Sequence, residues 1–254
     1  MSLFKSFTTA GLEETEDRVG GFSSVEAGLY TATIKMAYHS VAASGANAIN
    51  FVFDLGGREY RETTYITNKK GENFFLNKED KTKKVPLPGF TVVDDICLCT
   101  TEKPLSEQDA QEKVVKIYDF DAKKELPKSV PVLVDLLGQK VGLGIIKTLE
   151  NKNVKNTTTG EYEPTAETRE VNSIDKVFHV PSNLTMVEVR NEVEEAVFFT
   201  GWVERNKGEI RDKRLIKDGV GGTPGRPGAP GARPAPTAPQ AGEAPARKSL
   251  FGKK

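Results

Sequence analysis

Cysteine and histidine are nearly missing from this chain, with two of each in 254 residues, and there is a single tryptophan. Each shortage removes a class of chemistry. Cys97 and Cys99 lie one residue apart in ICLCT, too close to staple a fold, so reduced thiols in an intracellular protein are expected. With a distant histidine they also fall short of a zinc pattern, which needs two close pairs of ligands. His39 and His179 stand isolated and read as surface or satisfied core side chains. GLGIIKT lacks the glycine spacing of a phosphate-binding loop. No run approaches the ~18 consecutive apolar residues that cross a bilayer, and residues 1–7 carry no apolar signal region. A cytoplasmic protein without a membrane partner is expected.

Paired acids are present: Asp94 and Asp95 in VVDDI, Asp119 and Asp121 in YDFDAKK. Such carboxylates can hold Mg²⁺ for phosphoryl chemistry. Close acid pairs are, however, common at helix N-termini and turns, and nothing nearby supplies a general base. The expectation is therefore no enzyme, no cofactor and no metal.

The net charge of zero conceals a division. From Arg205 onward there are twelve Lys or Arg and four acids, a charge of +8, so the preceding body carries −8. Residues 219–247 contain seven Gly, seven Pro and seven Ala, with no aliphatic residue larger than Val220. That composition cannot bury enough surface to offset its ordering entropy. A domain over residues 1–218 and a disordered tail over 219–254 are expected, the tether spanning on the order of 30 Å as a flexible coil. The tail ends in RKSLFGKK. Leu250 and Phe251, set among Lys248, Ser249, Lys253 and Lys254, have the form of a docking peptide whose apolar side chains fill a pocket and whose cations select an acidic rim.

Within the body, LYTATIKMAY puts Tyr30, Ala32, Ile34, Met36 and Tyr38 on one face of a strand, and NAINFVFD does the same for Ile49, Phe51 and Phe53. Gly56-Gly57 turns the second strand into REYRETTYIT as a hairpin. VPVLVDLLGQKVGLGIIKTLE reads as another hairpin turning at Gly138-Gln139, with Gly142 and Gly144 marking a bulge or bend. TVVDDICLCTTEKPLSEQDAQEK is helical in pieces. A helix is expected over 185–206, opened by a capping box of Thr185 with Glu188. Short strands around Gly-bearing bends with few helices favour a small closed or partly closed β barrel.

Residues 58–84 hold eight basic residues against five acids, interleaved with Tyr60, Tyr65, Phe74 and Phe75. Arg61, Thr63, Tyr65 and Thr67 share one strand face; Tyr60, Thr64 and Ile66 share the other. A cation and a ring on one face suit single-stranded nucleic acid, whose bases stack on exposed rings at about 1–3 kcal/mol each while Lys or Arg follow the phosphates. The candidate nucleic-acid-binding set is Arg58, Tyr60, Arg61, Tyr65, Lys69, Lys70, Phe74 and Phe75. An ordinary hairpin with a solvated lysine loop would have the same composition.

Taken together, EETEDRVGG, GGREYRETTYITNKKGENFF, LPGFTVVDDICLC, EKVVKIYDFDAKKELPKSVPVLVDLLG, IDKVFH and the final KSLFG resemble the single-stranded DNA-binding proteins of lytic tailed bacteriophages. The likeness covers about residues 1 to 210 and the last few. It implies a mainly β, OB-fold-like barrel with inserted loops and a few helices, coating single strands in phage DNA replication, recombination and repair inside the infected host cell. It also implies a mobile tail that contacts phage replication or recombination proteins. Carried over by position, the strand-binding role falls on Arg61, Tyr65, Lys69, Lys70, Phe74 and Phe75. Relatives of this kind often end in an acidic tail; this one is basic, so it cannot mimic DNA against its own groove. A basic tail is compatible with docking on host RNA polymerase, which leaves an adaptor or transcription regulator as the alternative function.

Overall fold

The computed structural model describes residues 24–119 and 122–216. They form a mainly β structure: an eight-stranded sheet, a separate two-stranded ribbon, and three helices. The first strand, β1 (Gly28–Val41), organises the sheet. One of its edges pairs antiparallel with β2 (Asn47–Asp54), which pairs in turn with β3 (Glu59–Tyr65). The β2–β3 hairpin forms as the sequence indicates. Gly56 and Gly57 take φ of 80° and 95°, and the Gly57 N–H donates to Asp54 Oδ1 at 2.6 Å.

The alternation in β2 places Ile49, Phe51 and Phe53 in the core, with the Phe51 and Phe53 rings stacked at 5.1 Å. In β1 it holds only halfway. Ile34 pairs with Phe53 but Met36 pairs with Val52, so Lys35 is an extra residue and the strand bulges. Ala32 and Ile34 precede the bulge and are buried; beyond it Ala37 takes the core position, and Met36 and Tyr38 pass to the outer face. The expectation of a single face from Tyr30 to Tyr38 is thereby corrected.

The ribbon of β4 (Phe74–Leu76) and β5 (Lys84–Pro86) follows β3. Next comes α1 (Pro88–Thr101), whose Pro at the first turn costs no internal hydrogen bond and whose Val93, Ile96, Cys97, Leu98 and Cys99 enter the core. The strands β6 (Ala110–Asp119) and β7 (Lys124–Leu133) make a hairpin. It is tied to β1 by one ladder pair, Tyr38 with Val132.

β8 (Lys140–Lys155) is not the hairpin partner of β7. Both strands line the same edge of β1, β8 along Gly28–Thr33 and β7 at Tyr38, and the Gly138-Gln139 turn bonds to both the N–H and C=O of Ile34 between them. β8 pairs instead with β9 (Tyr162–Phe178) and, through a short parallel ladder, with β10 (Ile210–Asp212).

Gly142 and Gly144 serve close approach. A Cβ on Gly144 would lie 2.8 Å from the Trp202 ring, and one on Gly142 would lie 3.0 Å from Phe178. The adjacent bulge sits on β9, where Asp175 is the extra residue. Asp175 Oδ2 accepts the Trp202 indole N–H at 2.7 Å. Trp202 belongs to α3 (Val197–Asn206); α2 (Met186–Arg190) precedes it. The single expected helix is thus two, separated where Glu192 adopts φ of 55°. The capping box of Thr185 and Glu188 is present, and Glu188 Oε1 also accepts the Phe198 N–H at 2.9 Å, so one carboxylate serves both helix starts.

No backbone ladder joins β3 to β9 among the described residues, so the sheet is not a closed barrel. A side chain spans the gap. Glu62 accepts the Ile174 N–H, freed by the β9 bulge, at 3.0 Å, and the Tyr60 hydroxyl donates to the same carboxylate.

Gly144→Ala should lower stability by about 1–3 kcal/mol through collision with Trp202. Gly201→Ala, on a helix position with open space, should leave stability unchanged or raise it by up to ~1 kcal/mol. Urea unfolding of the two variants checks the contrast.

Candidate functional site

On its outer face the sheet carries rows set by the register. Met36, Val52 and Arg61 form one; Tyr38, Asn50 and Thr63 the next; Ser40, Ala48 and Tyr65 the last. Asn50 accepts from the Thr63 hydroxyl within the middle row at 2.8 Å and donates to Ser40 Oγ in the last row at 2.7 Å. The β6–β7 hairpin stands across this face and contributes Val115, Lys116, Ile117, Tyr118 and Glu125. Between hairpin and sheet lies a groove of about 630 Å³, within the size range of ligand sites.

Its lining is mixed, with Met36, Val52, Val115 and Ile117 apolar and Asn50, Thr63, Lys116 and Glu125 polar. Tyr38 is half-buried; burial raises its hydroxyl above the ordinary value, while the nearby Arg61 charge opposes the rise. Tyr38 on β1 and Arg61 on β3 both line the groove, with β2 between them. Tyr118 is 45% exposed on the opposite wall. Arg61 donates from Nε to Glu59 at 2.6 Å, and its Nη1 lies 3.8 Å from Glu125 across the groove. Lys35, on the bulge, pairs with Asp54 at 3.5 Å.

The expected site residues do not gather in one place. Arg61 lines the groove. Tyr65 is 53% exposed at the end of the same strand face. Its backbone is set by α1, because Gly89 approaches the Tyr65 carbonyl so closely that a Cβ would lie 2.2 Å away. Lys69 and Lys70 follow in a turn held by Asn68 Oδ1, which accepts the N–H of Lys70 and of Glu72, and both lysines are exposed. Phe75, on the ribbon, is 47% exposed, and Lys84 Nζ covers the Phe74 ring at 4.3 Å. Arg58 lies at the opposite end, in the β2–β3 turn, where its charge acts on Tyr30.

Tyr60 requires correction. It is 7% exposed, packs on Phe53 at 6.2 Å and binds Glu62, so its ring belongs to the core and offers no stacking surface. The docking residues Lys248, Ser249, Leu250, Phe251, Lys253 and Lys254 lie outside the described residues.

Tyr38, Met36, Asn50, Val52, Lys116 and Tyr118 are members of the groove that the sequence reading missed. For Lys116 and Tyr118 a signal existed, a cation and a ring two residues apart in EKVVKIYD. For Tyr38 there was none, because the unbroken alternation put it inside.

Of the paired acids and the histidines, Asp121 lies outside the described residues and the others are engaged locally. Asp94 accepts the Leu105 N–H at 2.8 Å, Asp119 pairs with Lys128 at 3.2 Å, and Asp95 lies 3.9 Å from Arg190. His39 meets Asn47 Oδ1 at 2.8 Å and His179 meets Ser182 Oγ at 2.9 Å. Burial raises both thiols, Cys99 to about 12, far from the reactive thiolate range. Set against protein-family models, curated proteins and solved structures, the chain matches none of them.

Burial pushes the Asp95 carboxyl up to about 6, with Arg190 opposing and Asp94 assisting. Its folded value exceeds its unfolded one, so stability from this group is present at low pH and is lost as pH rises from about 4 to 6. Asp95→Asn should flatten that part of the stability curve and be more stable than wild type at pH 7 by about 1–3 kcal/mol. Denaturant midpoints between pH 4 and 7 test it; parallel curves for the two proteins would refute it.

Proposed function

We propose that the chain is a sequence-tolerant single-stranded DNA-binding protein acting in bacteriophage DNA replication, recombination and repair, and that it is not an enzyme. The observation that carries this reading is the outer-face groove lined by Tyr38 and Arg61 on the sheet, with Tyr118 and Lys116 on the facing wall. Exposed Tyr65 continues the same strand face, and the exposed Lys69-Lys70 turn follows it in the chain. Rings accept bases of any sequence, because every base has a π face, and cations follow the phosphates. The sheet is read as an opened OB-type barrel. Its order β3-β2-β1-β8, with α1 entering after β3, supports that reading, and the Glu62 bridge substitutes for the missing closing ladder. The assignment of Phe75 to the site rests on its exposure next to the basic Lys78–Lys84 loop.

Partner contact through the tail rests on the sequence alone, on Leu250 and Phe251 among cations. Phage replication proteins and host RNA polymerase are the partners it suggests.

Filter binding of a poly-dT oligonucleotide at two salt concentrations tests the main reading. Wild type should bind and should weaken at higher salt, as phosphate contacts require. Tyr38→Ala and Tyr65→Ala should each weaken binding by about 5- to 100-fold, the worth of one stacked base, with unchanged thermal melting. Wild-type affinity in both folded variants would remove the groove from the site. A chain lacking residues 247–254 should keep its oligonucleotide affinity and lose partner capture; loss of both would mean that the tail grips phosphates.

A further inference from the structure

Two of the cations that line the groove already have acid partners. Of the three cations that line it, Lys35 is paired with Asp54, and Arg61 is held by Glu59 and faces Glu125. The two carboxylates on Arg61 have different geometry. Glu59 lies two residues away on the same strand face and takes the Nε edge at 2.6 Å, which orients the guanidinium. Glu125 belongs to β7, in register with Tyr118 on the opposite wall, and stands 3.8 Å from Nη1. The Arg61–Glu125 pair thus crosses the space that a ligand would enter.

We infer that Glu125 occupies the place of a phosphate on Arg61, and that strand entry exchanges carboxylate for phosphate at the Nη edge while Glu59 continues to hold Nε. This rests on the reading of the groove as a single-strand site. The exchange is physically cheap. Both side chains are about half exposed, and ion pairs in that setting contribute only about 0–1 kcal/mol, so a phosphate offering several acceptor oxygens replaces the carboxylate without stranding a buried charge. A fully buried pair would resist the exchange, since separation would leave an uncompensated ion. The arrangement keeps Arg61 matched while the groove is empty, and it returns a competitor to Arg61 whenever the strand lifts. Glu125 is therefore a residue that limits affinity and hastens release.

The test compares Glu125→Gln in the wild-type and Arg61→Gln backgrounds, by poly-dT binding and stopped-flow dissociation. In the wild-type background the substitution should tighten binding by about 2- to 5-fold at low salt, mainly through slower dissociation. The gain should shrink as added salt screens the half-exposed charges. In the Arg61→Gln background the gain should disappear, because Glu125 then has no guanidinium to hold. An unchanged or weaker affinity for Glu125→Gln overturns the inference, and so does an equal gain in both backgrounds, which would make Glu125 a bare repulsive charge. Either result leaves the single-strand reading standing if Tyr38→Ala still weakens binding; a wild-type protein with no oligonucleotide affinity removes both.

Discussion

The extra residue at Lys35 is the constraint on which the outer face depends. Side chains on a strand alternate strictly, so one inserted residue sends everything beyond it to the other side. Ahead of the bulge β1 feeds Ala32 and Ile34 to the core. Beyond it the same strand sends Ala37 inward and turns Met36 and Tyr38 outward, into the groove that Arg61 also lines beneath the β6–β7 hairpin. The bulge also divides the other edge of β1, leaving β8 to pair before it and β7 to touch after it, with the Gly138-Gln139 turn bonded to Ile34 between them. Groove, hairpin placement and core register share one cause.

Charged side chains do structural tasks that backbone pairing leaves undone. Glu62 is drawn inward to satisfy the N–H that the β9 bulge frees, and its carboxyl is pushed above the usual range by burial against the pull of that bond and of Tyr60. Asp175, the extra residue of the same bulge, turns to the Trp202 indole and to Arg211 at 3.4 Å. Glu188 caps two helices with one carboxylate. In each place an irregularity creates an orphan polar group, and an acid that composition alone would assign to the surface answers it, since an unpaired buried group costs more than the bond returns.

Several features were legible in the residues because they are local. The Gly-Gly hairpin follows from the positive φ that only glycine adopts freely, the Thr185–Glu188 box from the spacing of one helical turn, and the buried face of β2 from an uninterrupted period of two. The exposure of Tyr65 and the burial of Tyr60 also follow from alternation on β3, which puts the Tyr60 ring on the face opposite Arg61 and Tyr65. The β7–β8 connection misled because a Gly-bearing turn between two apolar runs has the composition of a hairpin whether or not the runs pair. Gly142 and Gly144 were legible in part: a bulge does fall at Gly144/Ile145, but the sequence does not show Phe178 and Trp202, which arrive from far along the chain to use the space.

By itself, then, the sequence determined the mainly β class, the hairpin after Gly57, the helix start at Thr185 and the division between an acidic body and a basic end. Those properties depend on neighbours a few residues apart. The tertiary structure alone decided the side on which Tyr38 emerges, the wall that Lys116 and Tyr118 build opposite it, and the carboxylates that meet Arg61. A strand's register is settled by its partners across the sheet, and no window along the chain contains them.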